Sequence, residues 1–186
     1  MADDGPVTLP SLPSLTSLPA TEHPELLAPP VAAALDSWPG ATDVAVVEIA
    51  PDLADTAAMS EAYGIAMTAS GNCVVVAGSR AGEERVAACV VRADTRAEVN
   101  TLVRRMLDVR KASFLPMERA VAETGMEHGG ITPVGLPSGW RVLVHEALLA
   151  EPVVVIGSGV RRSKLLVPGP ALAGLPGAEV VPDLGR

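Results

Sequence analysis

Aromatic residues are scarce: among 186 residues only Trp38, Tyr63, Phe114 and Trp140 carry such rings. Domains that hold bases or sugars on stacked rings need several of them exposed, so that mode of recognition is disfavoured. Two cysteines, Cys73 and Cys89, are too few for a disulfide framework or a four-thiolate zinc site, and they read as reduced, buried thiols. The three histidines, His23, His128 and His145, stand at no metal-binding spacing, so neither a metal nor a cofactor is expected. Lysine is almost missing as well, with Lys111 and Lys164 beside twelve arginines.

No apolar run is long enough to cross a bilayer, and the N-terminus lacks the basic or arginine-rich segment of a targeting sequence. No membrane partner is expected, and cytoplasmic residence follows. Basic residues are absent before Arg80, whereas the first 79 residues hold ten acids. The remainder carries all 14 basic residues against 12 acids, so the net charge of −8 belongs to the front of the chain. DNA is not an expected partner, yet the rear can carry a local basic face.

What is present is aliphatic. Apolar residues make up 48% and mean hydropathy is +0.33, enough for one core built from Val, Leu and Ala. Eight of the 17 prolines lie in residues 1–40, including the stretch LPSLPSLTSLP at 9–19. Residues 1–22 therefore read as a mobile Pro-rich tail, and 23–186 as the folded domain. From residue 42 strand and helix patterns alternate. Strands are expected at 44–49, 72–77, 86–91, 142–145, 153–156 and 165–167, and helices at 30–38, 53–63, 95–107 and 116–123. With both hairpin and crossover connections, the expected fold class is α/β, a single domain with a mixed sheet and surrounding helices.

Few motifs suggest chemistry. Gly157-Ser158-Gly159 follows a strand, but a dinucleotide fingerprint needs a third glycine where this chain has Arg162, and a hydrolase elbow needs its glycines two residues from the serine. The segment TGMEHGGITPVGLP at 124–137 is the most unusual. Its glycines permit positive φ and close approach to a ligand, its prolines set the turns, and the amides of Gly130 and Ile131 can point into a cavity.

Three stretches together, SGNCVVV at 70–76, the TGMEHGGITPVGLP loop and VIGSG at 155–159, resemble the YbaK/EbsC family of aminoacyl-tRNA deacylases, which is related to the editing domain of prolyl-tRNA synthetase. In order and spacing the resemblance runs from about residue 42 to 181, and the GGITP loop is its specific part. It implies a YbaK-like fold and hydrolysis, in trans, of the ester between a wrongly attached small amino acid and the terminal adenosine of tRNA. Such an ester is already activated, so a positioned water or ribose hydroxyl and main-chain stabilisation of the oxyanion suffice. Selection is by a small pocket that admits what the synthetase failed to exclude.

The resemblance also assigns roles. Gly129, Gly130 and Ile131 would cradle the aminoacyl carbonyl or ribose, Thr132 and Pro133 would hold the loop, His128 would border the substrate, and Gly157, Ser158 and Gly159 would form the opposite wall. The family's central-strand lysine is replaced here by Asn72, followed by Cys73. Seven positions after Gly157, where family members often carry an acid, stands Lys164. The cation is thus expected from Lys164, with Asn72 as a neutral hydrogen-bonding partner and Gly130 as a main-chain donor. The expected partners are the acceptor end of mischarged tRNA, met by Arg161, Arg162, Arg110 and Lys111, and an aminoacyl-tRNA synthetase. Two alternatives stand beside this reading: a non-catalytic protein of the same fold that binds an amino acid, nucleotide or synthetase, and an interaction protein acting through its Pro-rich tail.

Overall fold

The computed structural model describes residues 9–186. Two sheets share one α/β domain. The larger is built on a hairpin of β3 (Gly71–Arg80) and β4 (Glu83–Arg92), paired along their whole length from Gly71 opposite Arg92 to Arg80 opposite Glu83. The turn residues Ala81 and Gly82 both have positive φ, +54° and +85°, the pair of signs that a tight hairpin turn requires. β5 (Ala112–Phe114) lies antiparallel on the outer edge of β3, while β6 (Arg141–His145) and then β9 (Ala178–Val181) add in parallel beyond β4. This sheet is mixed, as expected.

The second sheet is antiparallel throughout, in the order β1 (Leu18–Pro19), β2 (Ala45–Glu48), β8 (Ser163–Val167), β7 (Val154–Gly157). A parallel bridge from Ser70 to Val155 joins β7 to the start of β3, so the two sheets meet where both glycine-containing strand ends lie. Gly71 fits this junction because a side chain there would press on Ile156 and Val154.

Helix α1 (Pro29–Ser37), opened by its prolines, buries Val31 and Leu35 in the main core with Val44, Val46, Val90, Val144, Ile156, Leu165 and Val167. Helix α2 (Thr56–Tyr63) covers the other face of the second sheet with Met59, against Ala45, Val47 and Leu166. It starts three residues later than its apolar pattern suggests, because Asp55 caps it, and Gly64 ends it in the left-handed conformation (φ +66°).

Two expectations need correction. Residues 9–22 are part of the fold: Leu18–Pro19 pair with β2 and Ala20 is completely buried. Proline is tolerated there because β1 is a two-residue edge strand, where a missing amide costs no ladder bond. The remainder of the expected tail, residues 1–8, lies outside the described residues. The amphipathic segment 95–107 is also not one long helix. A wide turn at Val99–Val103 leads into the single turn α3 (Arg104–Met106), after Glu98 caps the start with its carboxylate. Val99, Val103 and Leu107 still reach the core beneath β3 and β4. Further along, α4 (Met117–Thr124) ends at Gly125, φ +67°, and delivers the chain to the glycine-rich loop.

Candidate active site

Lys164 is the second residue of β8, the strand enclosed between β2 and β7. Alternation sends Leu165 and Val167 into the main core and puts Lys164 and Leu166 on the face that α2 covers. The lysine is 5% exposed, and its Nζ donates to the carbonyl of Ala54 at 2.9 Å. That single bond leaves two of the three ammonium N–H groups without an acceptor among the described residues. Among the described residues no carboxylate forms an ion pair with it. Burial pushes its pKa down from 10.5 to about 8, the nearby Arg161 guanidinium adds to the fall, and Asp55 opposes it.

The start of α2 ties the two sheets together at this point. Ala54 receives Lys164 from the second sheet, and Thr56 Oγ1 donates to Asn72 Oδ1 of β3 at 2.7 Å. Between them, Asp55 accepts the amides of Ala57 and Ala58 through Oδ1, at 3.0 and 3.1 Å, which leaves its second oxygen free of helix bonds. Asn72 and Lys164, far apart in sequence and in different sheets, line one cleft of about 250 Å³ with Asp55, Thr56, Cys73, His128, Gly129 and Ile131. Burial, and secondarily Cys89, pushes the Cys73 thiol far up, so it remains protonated at neutral pH.

The glycine-rich loop is fastened to the turn after β7 by its main chain. Glu127 N donates to Gly159 O, Gly159 N donates to Gly130 O, and the Glu127 carboxylate accepts the Arg161 amide at 2.6 Å. Gly157 must be glycine, since a Cβ there would lie 2.3 Å from Gly130 O and 2.7 Å from Ile131 O. The amides of Gly129 and Ile131 donate to no protein group among the described residues.

The match of the chain to known proteins agrees with this architecture. Residues 50–175 match the profile of the aminoacyl-tRNA editing domain. The chain belongs to the aminoacyl-tRNA editing domain family. No curated protein sequence matches it. Among solved structures, one described as a candidate trans-editing enzyme for prolyl tRNA synthetase is similar in fold, with a TM-score of 0.71, 24% identity, and 86% of this chain and 96% of that one covered. A scaffold used for epitope backbone grafting has a TM-score of 0.72 at 24% identity, over 86% of this chain and 97% of the other. A candidate signal transduction protein from Marinobacter aquaeolei VT8 shares the fold at 17% identity and a TM-score of 0.52, covering 84% of this chain and 30% of its own.

Within this editing domain several expected site residues lie elsewhere. The amide of Gly130 donates to Glu127 O at 2.9 Å inside its own turn and is not available to a carbonyl. Ser158 is fully buried, with its hydroxyl bonded to Ser163 Oγ at 2.7 Å and Ser163 O at 2.9 Å, so it braces the turn and is no cleft wall. Gly159, φ +85°, packs against Ala28 and Val31. Thr132 is buried and Pro133 lines a different, apolar groove of about 330 Å³ between Trp38 and Trp140. No titratable side chain lines that groove, so the chemistry belongs to the polar cleft.

Of the basic residues, Arg161 sits beside the cleft and clamps the loop, donating to His128 O at 3.2 Å and Pro51 O at 2.9 Å. Arg162 donates to Glu25 O, and both border a shallow depression that shares His128 with the cleft. Arg110 and Lys111 do not approach the cleft: Lys111 runs past Gly78, six strand residues from Asn72, or about 20 Å. Asp55 and Thr56 line the cleft but drew no attention in the sequence. Their only local signal, Asp-Thr-Ala-Ala, is an ordinary helix start.

Proposed function

We propose that this editing domain is a trans-acting deacylase that hydrolyses the ester of a small amino acid wrongly attached to tRNA. The observation that carries the reading is the buried Lys164 ammonium, bonded to one carbonyl only among the described residues, in a cleft it shares with Asn72 and with Gly129 and Ile131, whose amides have no partner among the described residues. A cation in such surroundings acts on developing negative charge far more strongly than one in water.

The acyl carbonyl oxygen would sit between the ammonium and those amides. Water adds to the carbonyl carbon, the bond to the ribose oxygen breaks, and the proton lost by water ends on that oxygen. The amino acid leaves as a free acid and the tRNA as its hydroxyl form. The free oxygen of Asp55 suits the α-ammonium of the substrate, and Asn72, held through its carbonyl by Thr56, keeps an amide N–H₂ for the ribose. The lysine takes the electrostatic part that the family's central-strand lysine would have, from another strand.

The test is a panel of Ala-, Ser-, Cys- and Pro-charged tRNAs, with release of the amino acid followed for the wild type and Lys164→Met. Release from at least one tRNA, lost in the variant, is the expected result. Equal release by both proteins removes Lys164 from the chemistry, and no release from any tRNA favours a binding protein of the same fold.

A further inference from the structure

At the opposite end of β3 from the cleft lies an open depression of about 550 Å³, lined by Arg80, Arg104, Arg105 and Arg110 with Thr101 and Asp108. Its charge is unbalanced. Asp108 is the one carboxylate lining it, and Arg80 and Arg85 both bind that carboxylate. Arg104 uses its Nε on Asn100 O at 2.8 Å, which leaves its terminal nitrogens unbonded among the described residues. Arg105 and Arg110 are exposed, and their side chains form no ion pair or hydrogen bond among the described residues. This concentration of cation stands in a chain whose net charge is −8.

We infer that this arginine-lined depression docks the sugar-phosphate backbone of the tRNA whose acceptor end enters the Lys164 cleft; the inference rests on the deacylase reading for its ligand. Unpaired guanidinium forks match phosphate oxygens in geometry and charge. No ring lines the depression, so it can hold phosphates but cannot stack bases, and contacts of that kind position a nucleic acid without reading its sequence. Arg80, its residue on β3, lies eight strand residues from Asn72, or about 26 Å. A free amino acid or nucleoside cannot span both places, whereas a helical stem carrying the ester can.

The experiment compares wild type with R105E/R110E, two exposed positions whose reversal leaves the core untouched, with folding checked by thermal melting. Binding of uncharged full-length tRNA is measured across a salt series, and amino-acid release is measured on a short aminoacylated CCA fragment. Expected are a fall in tRNA affinity of about ten-fold or more at low salt, a salt slope shallower by about 2, and unchanged turnover of the fragment. The variant R105K/R110K should regain most of the slope. Unchanged tRNA affinity and slope in R105E/R110E overturn the inference, as does fragment hydrolysis slowed in step with tRNA binding. So does loss of association with a synthetase while tRNA binding is intact. If arginine-dependent tRNA binding persists while no charged tRNA is hydrolysed, the deacylase reading fails and the docking surface stands.

Discussion

The two ends of β3 handle positive charge in opposite ways. At Asn72 one ammonium, that of Lys164, is withdrawn from water, fixed by a single carbonyl, and its pKa falls to about 8. At Gly78–Arg80 several guanidinium groups stand in solvent around a single carboxylate. A lone desolvated charge costs stability but acts strongly on a nearby oxyanion. Many solvated charges cost little, act weakly one at a time, and together hold a polyanion. Chemistry and docking need different settings, and the two kinds of setting lie near opposite ends of one strand.

The largest effect that would break this contrast is at Lys164. In Lys164→Met, kcat for deacylation is expected to fall by about 10²–10³. Stability should move the other way. A shift from 10.5 to about 8 corresponds to a burial penalty of roughly 3 kcal/mol at neutral pH, which the methionine does not incur. A thermal melt should rise by several degrees. A variant that is both inactive and less stable would make the lysine a structural strut.

The pH dependence follows with a definite sign. The folded chain loses the Lys164 proton near pH 8 and the unfolded chain near 10.5, so the unfolded state holds one more proton between those values. The penalty is complete below pH 8, and stability recovers as pH rises through the window. The difference in denaturation free energy between wild type and Lys164→Met should shrink from pH 7 to pH 10. Over the same range, turnover corrected for spontaneous hydrolysis should be level below about 8 and fall about ten-fold per unit above it. A flat profile would separate activity from this ammonium.

Gly157→Ala tests whether the cleft depends on the loop's close approach. The added methyl would lie 2.3 Å from Gly130 O, so a loss of about 1–3 kcal/mol in chemical denaturation is expected, with reduced turnover as the loop moves away. The smallest effect is expected at Thr56→Val, which removes the bond that holds Asn72. Turnover should drop by only a few-fold, with little change in melting temperature, since one neutral hydrogen bond is worth about 1 kcal/mol. A large loss there would move the centre of the site from Lys164 toward Asn72.

Local patterns identified most of the framework. The β3–β4 hairpin, β7 and β8 lie where apolar runs bounded by turn residues put them, and Gly64 and Gly125 end their helices. β1, β5 and β9 were not legible, because short strands with little alternation owe their pairing to the neighbour they meet. In the site, Lys164 and Asn72 stood out as departures from the family's pattern. Gly130 and Ser158 were misplaced because a motif names residues without saying where an amide or hydroxyl points. Asp55 was invisible, since a carboxylate that caps a helix looks the same in sequence whether or not it borders a cleft.

Composition and order were enough for an aliphatic α/β domain, a reduced pair of cysteines, a basic rear half and a glycine-rich loop after a helix, because these depend on neighbours within a few residues. That Lys164 shares a cavity with Asn72, that Arg110 and Lys111 lie at the far end of the strand, and that Ser158 faces inward were decided by the meeting of two sheets around the start of α2. Burial and direction of a side chain depend on which distant strands become neighbours, and no local stretch of sequence contains that information.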